Sequence, residues 1–417
     1  MNHSDQRPST SRREFLRVMA SLAAASAFLE ACSKGDLGTT TTHPTVTVTA
    51  TPTPEPTATA TATPTPAPAA TMTPTATLTP TPHRPSVPMG EPTATATPTT
   101  TPTPTPTTMP VVVTEEEMTT VAFVKTTDRA EGVRRAIDLL GINPIEGKTV
   151  FLKPNFNSAD PAPGSTHPDV LRALVLRLQE MGARTITVGD RSGVGVTQRN
   201  LEALGVFELG EELGFKVINF SKLYEAEDWI MIRPPDSHWK GGFPFARPCL
   251  EAEAVVSACC LKTHQYGGHF TMSLKNTVGM VAKDIPNNPT IFMEELHNSP
   301  HMRKMIAEIN TAYTPALIVL DGVEAFTAGG PMTGRLVASE VVLAGTDRIA
   351  VDAVGVALLR YYHTTSAVAR GPIFEQEQIA RAVELGLGVD SPYKIKLVSD
   401  DADSAAYAEE IKAVLLS

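Results

Sequence analysis

Cysteine is scarce in this chain: four residues in 417, none of them in a Cys-x-x-Cys spacing. The spacing gives no support for a structural zinc site or a four-cysteine iron–sulfur cluster. Cys259 and Cys260 fall in an apolar run and are expected to act as small hydrophobes, with a bridge from Cys249 to a neighbour left open. There is also no run of about 20 apolar residues, which argues against a bundle of membrane-spanning helices. Charge is nearly missing from residues 39–110, where only Glu55, Arg84 and Glu91 carry any. Basic residues are in deficit further on: residues 111–417 hold 29 Lys and Arg against 39 Asp and Glu, a net of −10. An acidic body of that size lacks the footprint for nucleic acid, so no nucleic-acid partner is expected.

The N-terminal 38 residues read as an export segment. Ser11-Arg12-Arg13-Glu14-Phe15-Leu16-Arg17 followed by an apolar stretch to Leu29 resembles a twin-arginine signal peptide. That resemblance implies the twin-arginine export machinery as a partner. The route carries folded proteins, often after a cofactor has been inserted. Leu29-Glu30-Ala31-Cys32 resembles a lipobox, although a glutamate stands where a small residue is usual. Cys32 is therefore the expected lipidation site, placing the protein on the outer face of the cytoplasmic membrane. Ala25-Ser26-Ala27 is the rival cleavage site and would give a secreted protein.

Residues 39–115 are expected to be a disordered linker. The stretch to residue 110 is largely Thr, Pro and Ala and holds 18 of the chain's 35 prolines. Proline removes backbone donors and almost no apolar surface is present, so no core can form. Extended polyproline II at about 3.1 Å per residue would give a stalk on the order of 200 Å. It would hold the body away from a membrane or carry it through a wall layer.

Residues 116–417 read as one α/β domain. Strands are expected at 121–124, 149–152, 185–188, 216–220, 229–232, 254–261, 316–320, 340–343 and 394–398. Helices are expected at 128–140, 168–181, 197–214 (broken at Gly205), 300–313, 348–361 and 374–385. Asp128 and Glu131 suggest a capping box, and Pro168 a first turn. Such alternation predicts a doubly wound, mostly parallel sheet in a Rossmann-like three-layer arrangement.

Polar residues follow four of these strands: Lys153 and Asn155, Asp190, Lys262-Thr263-His264, and Asp321. In open α/β sheets ligands bind beyond the carboxyl ends of the strands, so these groups converge if the strands are parallel neighbours. The segment from Lys262 to Asn276 carries Lys262, His264, His269 and Lys275 and no acid, a basic island suited to an anion. Thr271 and Ser273 add hydroxyls, and Gly267-Gly268 would let backbone approach a ligand. Gly329 and Gly330 lie in a second glycine-rich stretch, Ala325 to Gly334, that could form an anion nest or a lid. It matches neither a Walker loop nor the dinucleotide fingerprint. A phosphate or carboxylate is thus the expected ligand class. His264, Asp190 and Asp321 are candidates for a divalent metal, the one cofactor left open. Asp347 and Asp352 are expected to cap and flank the helix from Arg348.

The order of these motifs is similar to the domain of unknown function 362 family. It runs Lys153-Pro154-Asn155, Thr166-His167-Pro168-Asp169-Val170, Gly189-Asp190, Leu261-Lys262-Thr263-His264, Leu274-Lys275-Asn276, Leu320-Asp321-Gly322, then residues 346–353. The resemblance covers most of residues 120–400. It implies the fold and the site more than a reaction. Relatives often add ferredoxin-like iron–sulfur modules, which this sequence lacks. Two functions fit. In an enzyme, His264 would serve as acid or base. Lys262 and Lys275 would stabilise negative charge, and Asp190 or Asp321 would orient the histidine. In a tethered binding protein, Lys153, Asn155, Asp190, Thr263, Ser273, Asn276, Gly329 and Gly330 would hold the anion without chemistry.

Overall fold

The computed structural model describes residues 118–417. The export segment, Cys32 and the stalk lie outside the described residues. Among the described residues, no helix is long and apolar enough to cross a membrane.

Nine strands form one sheet: β1 (Thr119–Lys125), β2 (Thr149–Lys153), β3 (Thr185–Asp190), β4 (Lys216–Asn219), β7 (Ala254–His264), β8 (His269–Thr271), β9 (Leu317–Gly329), β10 (Gly334–Gly345) and β11 (Ile395–Val398). Their order is β11-β1-β10-β9-β7-β2-β3-β4, with β8 folded back on the end of β7. The pairs β9/β7, β7/β2, β2/β3 and β3/β4 are all parallel. β10 runs antiparallel to both β9 and β1, so β1 points the same way as β9. The fold is thus α/β with a mostly parallel sheet, as the alternation predicts.

Three differences stand out. The strand expected at 229–232 is β5 (Trp229–Ile232), and it pairs with β6 (Phe243–Ala246) in a separate two-stranded sheet. β9 and β10 form a hairpin far longer than the apolar runs suggested, because their outer halves pair with each other while only partly buried. The end of the chain folds as a helix at Ala402–Leu415, where none was expected. Its weakly amphipathic sequence hides a buried stripe through Tyr407, Ala408 and Ile411.

Helices cover both faces. α1 (Arg129–Leu139) and α2 (Pro168–Glu180) pack on one, over a core that includes Val133, Leu174, Leu152 and Val256. The break at Gly205 divides α3 (Thr197–Ala203) from α4 (Val206–Leu213), with Gly205 at φ 68°. The other face carries the apolar α9 (Arg348–Tyr361) beside the terminal helix, and next to them a cluster built on Phe151, Phe220, Trp229 and Met305. Asp128 caps α1 by accepting from the Glu131 N–H at 3.0 Å. The side chain of Glu131 turns to Arg134 instead of closing a box. Asp347 caps α9, accepting from Ile349 and Ala350.

Candidate functional site

Because β3, β2, β7 and β9 are parallel neighbours, their carboxyl ends lie along one edge. Lys153 ends β2, Asp190 ends β3, and Lys262 to His264 end β7. Beyond them a cavity of about 50 Å³ remains, lined by Lys153, Asn155, Asp190, Lys262, His264, Lys275 and Asn276 from the expected set. A single water needs about 10–15 Å³ of such space, so several waters or one small anion fit. Asn157, Arg191, Gly193, Thr271, Val278, Gly279 and Pro331 complete the wall.

One polar chain runs through the floor. Lys262 donates to Asn155 Oδ1 at 2.6 Å and to the Gly164 carbonyl at 2.5 Å. Asn155 Nδ2 donates to Asn276 Oδ1 at 3.3 Å, and Lys153 donates to that same oxygen at 3.2 Å. Lys153 then meets Asp190 Oδ1 at 2.9 Å. The Asp190 carboxylate also accepts from the Phe156 and Arg191 backbone N–H groups, both at 2.7 Å. Asn276 is itself fixed by donating to Ser257 Oγ and to the Lys153 carbonyl. Gly279 passes so close that a Cβ there would lie 2.2 Å from Asp190 Oδ1.

Other groups are buried with no partner. Lys275 is 8% exposed and makes no hydrogen bond or ion pair with any described residue. His264 Nδ1, Thr271 Oγ1 and Asn157 Nδ2 are buried and unpartnered as well. Such groups cost free energy until something fills them. Burial, and then the nearby cations, push the Lys275 ammonium down to about 8. Burial also brings Lys262 down to about 8. Burial together with Lys275 holds His264 well below its ordinary value, so the imidazole is neutral at pH 7. His297, beside Lys275, is pushed down to about 4 by its own burial, and its Nδ1 lies 2.6 Å from the Met293 carbonyl. Against Asp190 alone stand the charges of Lys153, Lys262, Lys275 and Arg191.

Several expected residues stand elsewhere. Asp321 is on the same sheet edge but does not line the cavity. It takes a salt bridge from Arg129 Nε at 3.0 Å and the Val323 N–H at 3.1 Å. Thr263 donates to the Phe326 and Gly329 carbonyls, clamping the hairpin turn. Gly329 and Gly330 form that turn at φ 81° and 70°. They are docked on the end of β7, since a Cβ on Gly330 would fall 2.0 Å from the Thr263 carbonyl oxygen. Their neighbour Pro331 is what reaches the cavity. Ser273 starts a one-turn helix, α6 (Ser273–Asn276), and does not line the cavity. The three described cysteines are free and buried. Burial raises their thiols above the usual range, which keeps them protonated. Among the described residues no cluster of three His, Cys, Asp or Glu could hold a metal ion. The trio His264, Asp190 and Asp321 is not assembled, because Lys153 and Arg129 each engage one of the carboxylates.

Two further positions shape the candidate site, and of these only Arg191 was not singled out from the sequence. Asp352 does not flank its own helix; it accepts from the Ser273 and Leu274 N–H groups at 2.7 and 3.0 Å and so seats α6. Arg191 reaches the Val278 and Val281 carbonyls, holding the segment after α6 against the cavity. Its place directly after Asp190 was the only available sign.

A thylakoid-associated protein of Synechocystis sp. is 27% identical over 209 residues, 49% of this chain and 61% of that protein. The chain thus spans about three-fifths of that relative's length. The lactate racemase apoprotein of Thermoanaerobacterium thermosaccharolyticum aligns with 72% of this chain and 88% of its own at 11% identity, with a TM-score of 0.36. Residues 150–357, which contain every strand end facing the cavity, match the model described as domain of unknown function (DUF362). The chain carries a domain of that family.

Proposed function

We propose that the body of this protein binds a small anion, a phosphate or a carboxylate, in the cavity beyond β2, β3 and β7. The observation that carries the reading is Lys275: a cation facing a cavity, nearly buried, with no counter-charge and no acceptor among the described residues. An uncompensated buried charge is costly, and an anion entering the cavity would remove that cost for Lys275 and Lys262 together. Thr271 Oγ1 and Asn157 Nδ2 supply donors that no described residue uses. His264, neutral and buried, is placed to exchange a proton with whatever is bound.

The test is ligand-induced stabilisation of the full chain by inorganic phosphate and by oxalate. A ligand at 100 times its Kd adds about 2.7 kcal/mol to the unfolding free energy. One of the two should raise the Tm of the wild type and fail to do so in Lys275→Met. If neither anion moves the melt, or if the variant responds equally, the reading is wrong.

We infer that the protein acts outside the cytoplasm, tethered by lipid and stalk; the export-like segment around Arg12-Arg13 and the lipobox-like Cys32 support this. The Synechocystis relative is named for association with thylakoids, a membrane system, which accords with a tethered protein. Cys32→Ala should move the protein from the membrane fraction to the soluble fraction. An unchanged distribution would argue for cleavage near Ala27.

A further inference from the structure

The four cations of the cavity are not equivalent. Lys153 is tied to Asp190, and Lys262 to Asn155 and the Gly164 carbonyl. Arg191 donates to backbone carbonyls. Lys275 alone of the three lysines has no hydrogen bond or ion pair to a described residue, and it lines the open space. We propose that Lys275 is a nucleophilic amine that condenses with the carbonyl of a small 2-oxo acid to form an imine, the acid's carboxylate lying against Lys262. This rests on the anion-binding reading and names its substrate class.

The surroundings suit each step. A lysine becomes nucleophilic when it is desolvated and crowded by another cation, because both disfavour the ammonium form. Lys275 meets both conditions and is pushed down to about 8, so an appreciable fraction is the free amine near neutral pH. The backbone that carries the amine is fixed, since α6 is seated by Asp352 and by Asn310, which donates to the Leu274 carbonyl at 3.0 Å. An imidazole is adjacent. A Cβ at Gly268 would lie 2.8 Å from Lys275 Cε and 2.9 Å from His264 Nδ1, so the two side chains pack on the same backbone.

The step balances without an oxidant or a reductant. The amine lone pair attacks the carbonyl carbon, and the π electrons move to oxygen. A proton passes from the new ammonium to that oxygen, by way of His264, to give the carbinolamine. The nitrogen lone pair then forms the C=N bond as the C–O bond breaks, and the nitrogen's last proton passes by way of His264 to the departing oxygen, which leaves as water. One imine and one water replace one amine and one carbonyl group. The small cavity restricts the partner to acids of the size of glyoxylate or pyruvate.

The experiment treats the full chain with pyruvate or with glyoxylate, reduces with sodium borohydride, and maps the modified peptide by mass spectrometry. The expected result is one reduced adduct per chain on Lys275, absent without the oxo acid and lost in Lys275→Arg. Labelling of Lys262, or equal labelling of wild type and variant, would overturn the assignment. The phosphate and oxalate melts separate the two levels. A phosphate or oxalate shift with no adduct sinks the imine and leaves anion binding standing. No shift with either anion sinks both.

Discussion

Oδ1 of Asp190 lies 2.9 Å from Nζ of Lys153, and both side chains are buried. The carboxylate is therefore occupied by Lys153 and by two backbone N–H groups. Breaking a buried pair by removing one partner costs about 3–5 kcal/mol. Asp190→Asn should lose stability of that order in chemical denaturation, with part of the loss restored by saturating phosphate. A loss under about 1 kcal/mol would mean the pair is not the anchor of the site.

Anion affinity and stability should respond to alkali in opposite directions. Lys262 and Lys275 are each brought from 10.5 to about 8 in the folded protein. Between about 8 and 10.5 the unfolded chain holds more of these protons, so their contribution to stability rises with pH in that window. Affinity for an anion needs the ammonium forms and should fall as pH passes about 8. Titrating wild type against Lys275→Met isolates the lysine's share. Constant affinity from pH 7 to 9.5 would contradict the role given to these two amines.

Asp352 carries the reverse sign. Burial raises its carboxyl to about 7 while the Ser273 and Leu274 N–H groups oppose the shift. The folded state thus binds the extra proton between 3.8 and about 7, and the stability this lends is lost as pH rises through the folded value. Asp352→Asn keeps an acceptor without the charge. Its stability relative to wild type should improve as pH climbs from 5 to 8. A pH-independent difference would show that Asp352 does not titrate there.

Gly279 has no room for a side chain, since its Cβ would lie 2.2 Å from Asp190 Oδ1 and 2.9 Å from Lys153 Cε. Neither atom can retreat, as both residues are buried. Overpacking typically costs about 1–3 kcal/mol, so Gly279→Ala should destabilise by that amount and abolish the phosphate shift. Retention of both properties would show that the loop yields.

Asp321 supplies the contrast. Burial raises its carboxyl and Arg129 opposes the rise. Removing the guanidinium in Arg129→Met leaves a buried carboxylate unpaired, expected to cost about 3–5 kcal/mol. Since Asp321 does not line the cavity, Asp321→Asn should leave phosphate affinity within about twofold, read at a temperature where the variant is folded. A tenfold loss, about 1.4 kcal/mol, would return Asp321 to the site.

Much of the site could be read in advance because parallel strands announce themselves as apolar runs and their carboxyl ends must lie together. That logic located Lys153, Asp190, Lys262 and His264. It could not say which way a side chain leaves a strand end once a distant partner competes for it. Asp321 is drawn to Arg129, 192 residues earlier, and Asp352 reaches back 79 residues to Ser273. Neither pairing leaves a local trace. Thr263 and the two glycines after Ala328 carried the composition of a ligand loop, yet they serve to fasten a hairpin turn. The β5–β6 pair was missed as a separate sheet because an isolated strand of four residues looks the same wherever it pairs.

α6 is a single turn, too short to hold its own shape. It presents Lys275 and Asn276 only because a carboxylate on the core helix α9 and the amide of Asn310 grip its backbone. That wall of the cavity is in that sense an outgrowth of the hydrophobic interior. Repacking α9, even at positions remote from the rim, should therefore surface as weakened affinity before it is visible as a lowered melting point.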